Sequence, residues 1–331
     1  FMAVVVVSSF ITMAAVTVVT AGLAGALLGL DVSLTVLSLV LLVVIMGMLM
    51  VGHYRLLDGL MKIMVLVLGA LTLVAVAVAA FHGPAGDPEF VHPSVWSVGG
   101  LTFLLALMGW MPAPLDIGAW SSLWILEKHR GDRNPPTMGQ ALLDFNLGYA
   151  ATVVLAFAFI SFGALVMFGT GTEFSASGIV FSRQLVDMYT GTLGSWSRWL
   201  IALVAFITMF STTITVLDGY ARTLAAGAGL LVRPDKRPDG QGTTFCMMLL
   251  VVLAVVIIGF FMGGMRTLVD VATVLAFLTA PVVAGLNFRV VRLSNVLPEH
   301  RPGPWLKGFS WAGIVFLAGF GGLWIWVRFV A

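Results

Sequence analysis

The chain is poor in charge and in cysteine. Of its 331 residues, 10% are charged, and Cys246 is its single cysteine. One cysteine excludes an internal disulfide framework. A net charge of +2 gives no reason to expect a nucleic-acid partner. The five histidines fall in or beside loops between apolar runs, which argues against haem ligation, and no resident cofactor is expected.

The chain is rich in apolar residues. They make up 60% of the chain, and the mean hydropathy is +1.06. Soluble domains carry about 25% charged residues, compared with 10% in this chain. Runs of about 20 apolar residues predict membrane-spanning helices. We predict an all-α polytopic membrane protein with nine spans, at residues 2–30, 33–52, 56–81, 97–125, 145–168, 198–226, 243–263, 267–292 and 305–330. Asp144 and Asn146 are expected to cap the start of the fifth span.

Lysine and arginine predict the orientation. With Phe1 in the cytoplasm, thirteen of the seventeen basic residues lie at inner ends or loops, and Arg183, Arg198, Arg266 and Arg328 lie outside. The carboxyl terminus is then external, in a membrane that we expect to be the inner membrane of a bacterium. Tryptophans near span ends, such as Trp96, Trp124, Trp196, Trp199, Trp305 and Trp326, are interpreted as interfacial anchors.

The fourth span contains helix-breaking residues near its centre. Pro112 and Pro114 have no N–H, so the carbonyls of Met108 and Trp110 lose their usual helical donors. Broken helices near the membrane midplane commonly turn such groups towards an ion or substrate. The thioether of Met111 and the carboxylate of Asp116 lie within the same stretch. A binding site for an ion or a substrate is favoured, although Met111 could be core filler and Asp116 could cap the second half-helix.

A second polar stretch lies in the sixth span. Asp218 and Arg222 are four residues apart, as in an ordinary helical ion pair, and they follow Ser211, Thr212, Thr213 and Thr215. This run is too polar for a lipid face. A water-accessible vestibule or gate and simple helix packing are equally good interpretations.

Several blocks together resemble the NRAMP divalent-metal transporters, in particular their divergent branch. These are YRLLDGLMKIMVLVLGAL, GWMPAPLDIGAWSSLW, FSTTITVLDGYAR and LAFLTAPVVAGLNF. The resemblance implies a LeuT-like inverted-repeat fold of the APC superfamily in one domain, 1–331. Residues 1–81 would be the remainder of the first repeat, 97–292 the second, and 305–330 an extra helix. The family's two leading helices have no counterpart here, so an N-terminally incomplete transporter is expected.

The resemblance also implies site residues. The Met111 sulfur and the Met108 carbonyl match the family's metal ligands on this helix, and Thr273, eight residues before Pro281, matches a polar position facing the ion. Ala113 stands where the family has a histidine associated with proton movement, which leaves proton coupling open. A thioether favours Mn²⁺ or Fe²⁺, whereas Asp116 favours Mg²⁺. The expected partners are divalent metal, the bilayer and, if coupling exists, protons.

Parts of the sequence suggest two other functions. Asp218-Gly219-Tyr220-Ala221-Arg222 faintly resembles the motif of CDP-alcohol phosphotransferases, but one spacing is wrong and Pro234 and Pro238 interrupt the helix that it needs. An enzyme is therefore not expected. The stronger alternative is an amino-acid permease of the same fold, although the stretch from Gly109 to Asp116 lacks the glycine-rich unwinding that binds a carboxylate. A monomeric importer of divalent metal is the prediction.

Overall fold

The computed structural model describes most of the chain. Its described residues are 1–30, 32–51, 55–111, 113–131, 137–175, 177–232, 240–260, 264–294 and 296–330. Within these ranges the chain forms α-helices and two short 3₁₀ turns, with no strand. The fold is therefore all-helical over the described part, as predicted.

Nine segments of the described chain are long and apolar enough to cross a membrane. Eight are single helices, and the ninth consists of two half-helices. The helices are α1 Met2–Leu28, α2 Leu34–Val51, α3 Arg55–His82, α4 Val98–Trp110, α5 Gly118–Gly131, α6 Met138–Val166, α7 Gly178–Leu193, α8 Ser197–Val232, α9 Gly240–Phe260, α10 Met265–Val290 and α11 Pro304–Phe329. The predicted polytopic membrane class is confirmed.

The start of α6 corrects the sequence-based boundary. Asp144 and Asn146 lie inside this helix and do not cap it, because α6 begins at Met138. Thr137 is the N-cap. Its hydroxyl accepts from the Gln140 amide at 3.3 Å, and the Gln140 side chain accepts from the Thr137 N–H at 2.9 Å. This reciprocal pair is a capping box, which satisfies two amides at the helix start.

Helix α7 was not predicted. It is a 16-residue amphipathic helix between two spans, and it is too short and too polar to be recognised as a span. It packs against α1, α8 and α3. At Gly22 of α1 a Cβ atom would lie 2.6 Å from the carbonyl oxygen of Gly178, so the absence of a side chain lets the two helices touch.

Helix α1 occupies the centre of the bundle. It packs most extensively against α8 and also contacts α2, α7, α9 and α10. No charged residue occurs in it, and the hydroxyls of Ser8, Ser9, Thr17 and Thr20 bond to its own backbone or to neighbouring segments. Thr20 and Thr213 of α8, for example, share a hydrogen bond of 2.7 Å. The polar groups that α1 brings into the interior of the bundle are therefore hydroxyls and not ionised side chains, which are costly to bury in a membrane.

Helices α6 and α11 lie at the periphery. Few of their residues are buried, and their exposed side chains are mostly apolar, as lipid-facing helices require. The Trp324 indole of α11 donates to the Thr102 hydroxyl of α4 at 2.9 Å. Five of the six tryptophans interpreted as interfacial anchors are more than half exposed, namely Trp96, Trp196, Trp199, Trp305 and Trp326.

Candidate functional site

The fourth span is broken where its prolines predicted. Helix α4 ends at Trp110, and Met111 has extended backbone angles of φ −112° and ψ 123°. A 3₁₀ turn covers Leu115–Ile117, and α5 begins at Gly118. Pro112 lies outside the described residues, but its lack of an N–H leaves the Met108 carbonyl without the donor that a continuous helix would supply. Neither proline of the break can therefore supply the helical donor that a carbonyl four residues earlier would use.

Helix α10 lies directly against the end of α4. A Cβ atom at Gly109 would overlap the carbonyl oxygen of Thr273, so the two backbones touch there. Thr273 therefore sits beside the break. Its hydroxyl donates to the carbonyls of Val269 and Asp270, at 2.9 and 3.0 Å. Such bonding to the helix's own backbone is common for buried threonine.

Asp116 is the buried carboxylate of the break, with 6% of its surface exposed. Its Oδ2 atom accepts hydrogen bonds from the Ser8 hydroxyl at 2.8 Å and the Tyr220 hydroxyl at 2.7 Å. Both donors are side chains of other helices, α1 and α8. No hydrogen bond from an α5 amide to Asp116 occurs among the described residues, which disfavours the capping interpretation. Sequence reasoning missed Ser8 and Tyr220.

A cavity of about 380 Å³ lies beside the break. Thr212 borders it, and the Thr212 hydroxyl donates to the Thr208 carbonyl at 2.9 Å. Ala113, which stands where the resemblance implies a histidine, also lines it. The remaining lining residues come from α1, the break, α5 and α8: Thr12, Val16, Trp110, Pro114, Ile117, Trp120, Met209, Ser211, Thr215, Val216 and Tyr220.

A cluster of polar side chains joins α5 to α8, and we call it the α5–α8 clasp. Asp218 accepts from Arg222 Nε at 2.8 Å and from the Trp124 indole at 2.8 Å. Arg222 Nη1 also lies 3.9 Å from Glu127 Oε2. The predicted pairing of Asp218 with Arg222 is thus present. Trp124, interpreted from the sequence as an interfacial anchor, is half-buried and donates its indole N–H to Asp218.

The site offers few charged ligands. Nowhere in the described part of the chain do three His, Cys, Asp or Glu side chains come together. Met108 and Met111 are both half-buried. The donor types in the stretch from Met108 to Asp116 are thioethers, backbone carbonyls and the buried Asp116 carboxylate. Such a mixed set of soft and hard donors can accept a divalent ion.

The sequence matches known proteins over almost its whole length. A model of the natural resistance-associated macrophage protein-like family, Nramp, matches residues 1–327. The chain belongs to the Nramp family. It is also 35% identical over 319 residues to an uncharacterized protein, PM0681, of Pasteurella multocida (strain Pm70), which covers 95% of this chain and 72% of that protein. Such a distant relative is consistent with a divergent NRAMP-related branch.

Family membership gives the broad activity. Nramp proteins transport divalent metal ions across membranes, and this chain has the apolar helices of an integral multi-pass membrane protein. The Nramp proteins are transporters, which is consistent with the expectation that this chain is not an enzyme.

Proposed function

We propose that the protein is a secondary active importer of divalent metal that works by alternating access around the break from Met108 to Asp116. The observation that carries the proposal is the interruption between α4 and α5, beside a cavity and a buried carboxylate. Half-helix ends and freed carbonyls favour an ion at such an interruption. The proposed ligands are the Met108 carbonyl, the Met111 thioether and the Asp116 carboxylate, with Thr273 facing them from α10.

The fold proposed for this mechanism is the LeuT-like inverted repeat. Residues 1–81 belong to the first repeat, 97–292 form the second, and 305–330 add a peripheral helix. The positive-inside rule places the carboxyl terminus outside. The protein functions as a monomer in the inner membrane of a bacterium. The order of the helices supports the repeat assignment, and the distribution of lysine and arginine supports the orientation.

The metal preference depends on which ligand dominates. The Met111 thioether is soft and favours Mn²⁺ or Fe²⁺. The Asp116 carboxylate and the freed carbonyls are hard and suit Mg²⁺. Both kinds of ligand lie at the break, so replacing each in turn separates their contributions.

The α5–α8 clasp is the proposed inner gate. In the proposed orientation Asp218, Arg222 and Trp124 lie on the cytoplasmic side of the cavity that Thr212 borders. The hydrogen bonds of the clasp hold the inner half-helix against α8. Release of metal to the cytoplasm requires this half-helix to separate from α8, so the clasp opens once in each transport cycle.

The test is uptake of Mn²⁺ and Mg²⁺ by the full-length protein in proteoliposomes. Met111→Ala is expected to weaken uptake of Mn²⁺ more than uptake of Mg²⁺, because a soft ligand is lost. Asp116→Asn is expected to do the reverse. Met50→Ala is the control for the first change, since Met50 is 63% exposed on α2. Asp187→Asn, at a surface ion pair with Arg198, is the control for the second.

The outcomes separate the alternatives. Equal loss of both metals in Met111→Ala removes the thioether from the ligand set. Retained uptake with unchanged preference in Asp116→Asn removes the carboxylate. Transport of an amino acid and of neither metal would make the permease the correct function. A pH-sensitive dye inside the vesicles reports in the same experiment whether protons enter with the metal.

A further inference from the structure

Two hydroxyl groups from distant parts of the chain meet on one oxygen atom of Asp116. Ser8 in α1 and Tyr220 in α8 both donate to Oδ2, at 2.8 and 2.7 Å. Ser8 and Tyr220 are 4% and 1% exposed, respectively. Hydrogen bonds to a charged acceptor in a buried environment are stronger than ordinary ones. The carboxylate is therefore held from two sides.

Both donors have little freedom to move. The Tyr220 ring packs edge-on against Trp120, with ring centroids 4.8 Å apart and an interplanar angle of 82°. Trp120 in turn covers Gly219, where any Cβ atom would collide with the indole. Ser8 lies on the central helix α1, and its hydroxyl is also 3.4 Å from the Val5 carbonyl. The pair thus forms a rigid support for the Asp116 side chain.

Both bonds end on the same carboxylate oxygen, Oδ2. No donor among the described residues bonds to Asp116 Oδ1. An ionised carboxylate has about four lone-pair sites on its two oxygens. Fixing Oδ2 sets the plane of the carboxylate and so the direction of Oδ1. In metal sites, carboxylate ligands are commonly oriented by hydrogen bonds of this kind, and the orienting residues affect metal affinity.

We propose that Ser8 and Tyr220 are positioning residues that present Oδ1 of Asp116 to the transported ion. The inference rests on the proposed function, since it requires Asp116 to be a metal ligand. A carboxylate that is held in place favours a small hard ion, because Mg²⁺ demands near-ideal geometry around it. Ser8 and Tyr220 therefore determine how well the site accepts Mg²⁺ relative to softer ions.

The experiment measures concentration-dependent uptake of Mg²⁺ and Mn²⁺ by the full-length protein in proteoliposomes. Tyr220→Phe and Ser8→Ala each remove one hydroxyl. Each is expected to raise the half-saturating Mg²⁺ concentration by about 10-fold, the lower end of the effect of losing an orienting partner. The maximal rate and the half-saturating Mn²⁺ concentration should change less than threefold. Ser8→Thr keeps a hydroxyl and should restore Mg²⁺ affinity.

Matched controls exist for both changes. Tyr189→Phe removes a buried hydroxyl that bonds to Thr72 at 2.8 Å, between α7 and α3. Ser9→Ala removes the neighbouring buried hydroxyl of α1, which bonds to the Val6 carbonyl at 2.9 Å. Neither should alter the preference between Mg²⁺ and Mn²⁺. Thermal unfolding in detergent checks that each variant folds. If Tyr220→Phe does not fold, Ser8→Ala, which is the smaller change, still tests the positioning role.

Asp116→Asn distinguishes the inference from the function on which it rests. If this variant leaves metal preference unchanged, Asp116 is not a ligand and the positioning role fails with it, whereas metal import by the unmodified protein stands on its own uptake measurement. If Asp116→Asn changes the preference while Tyr220→Phe and Ser8→Ala do not, the positioning role alone is overturned. Equal weakening for both metals in the hydroxyl variants also overturns it. In the Asp116→Asn background, Tyr220→Phe should have no further effect on Mg²⁺ affinity.

Discussion

Replacement of Gly109 by alanine should force α4 away from α10 at the break. The new Cβ would overlap the Thr273 carbonyl oxygen and lie 2.8 Å from its carbon. Ordinary carbon contacts begin near 3.4 Å, so the backbones must separate by at least about 0.6 Å. Overpacking of a well-packed interior costs about 1–3 kcal/mol. Because Gly109 follows Met108, the shift also displaces the proposed metal ligands.

The assay combines thermal unfolding in detergent with uptake in proteoliposomes. A cost of this size corresponds to a fall in Tm of roughly 2–10 °C. Uptake should fall for Mg²⁺ and Mn²⁺ alike, because the whole break moves. Gly163→Ala in α6 is the matched control, since its added Cβ has no neighbour within 4 Å. If Gly109→Ala keeps both the Tm and the uptake of the unmodified protein, the close contact between α4 and α10 is not needed for the site.

Three further changes test other parts of the structure. Asp218→Asn should loosen the α5–α8 clasp and expose the cavity. The labelling rate of a cysteine placed at Thr212 should then rise severalfold, and an unchanged rate would argue against a gate. Thr273→Val should leave uptake within about twofold, because the hydroxyl is used inside α10; a selective loss for one metal would contradict this. Thr137→Ala should destabilise the start of α6 by about 0.5–2 kcal/mol, measured as increased amide exchange in its first turn.

The class of the protein could be predicted from composition alone. A chain this apolar with so little charge has to place its helices in lipid, where each backbone group must be satisfied within its own helix. The nine spans follow from that requirement, and the structure confirms their number among the described residues. The start of α6 could also be predicted from the sequence, because Thr137 and Gln140 have the spacing of a capping box.

The helix break could also be predicted, since its cause is local. Pro112 and Pro114 remove amides whatever surrounds them, and α4 ends at Trp110 accordingly. Helix α7 could not be recognised in the same way. Its 16 residues form a moderately amphipathic helix whose place depends on the contact between Gly22 and Gly178.

Long-range contacts were decided by the tertiary structure alone. Ser8 and Tyr220 are 108 and 104 residues from Asp116, and neither their identity nor their spacing in the sequence connects them with it. The same holds for Trp124, which looked like an interfacial anchor and bonds Asp218. Backbone chemistry acts on neighbouring residues and can therefore be predicted from the sequence. The partners of a buried carboxylate depend on how separate helices pack, and that packing is a property of the folded chain.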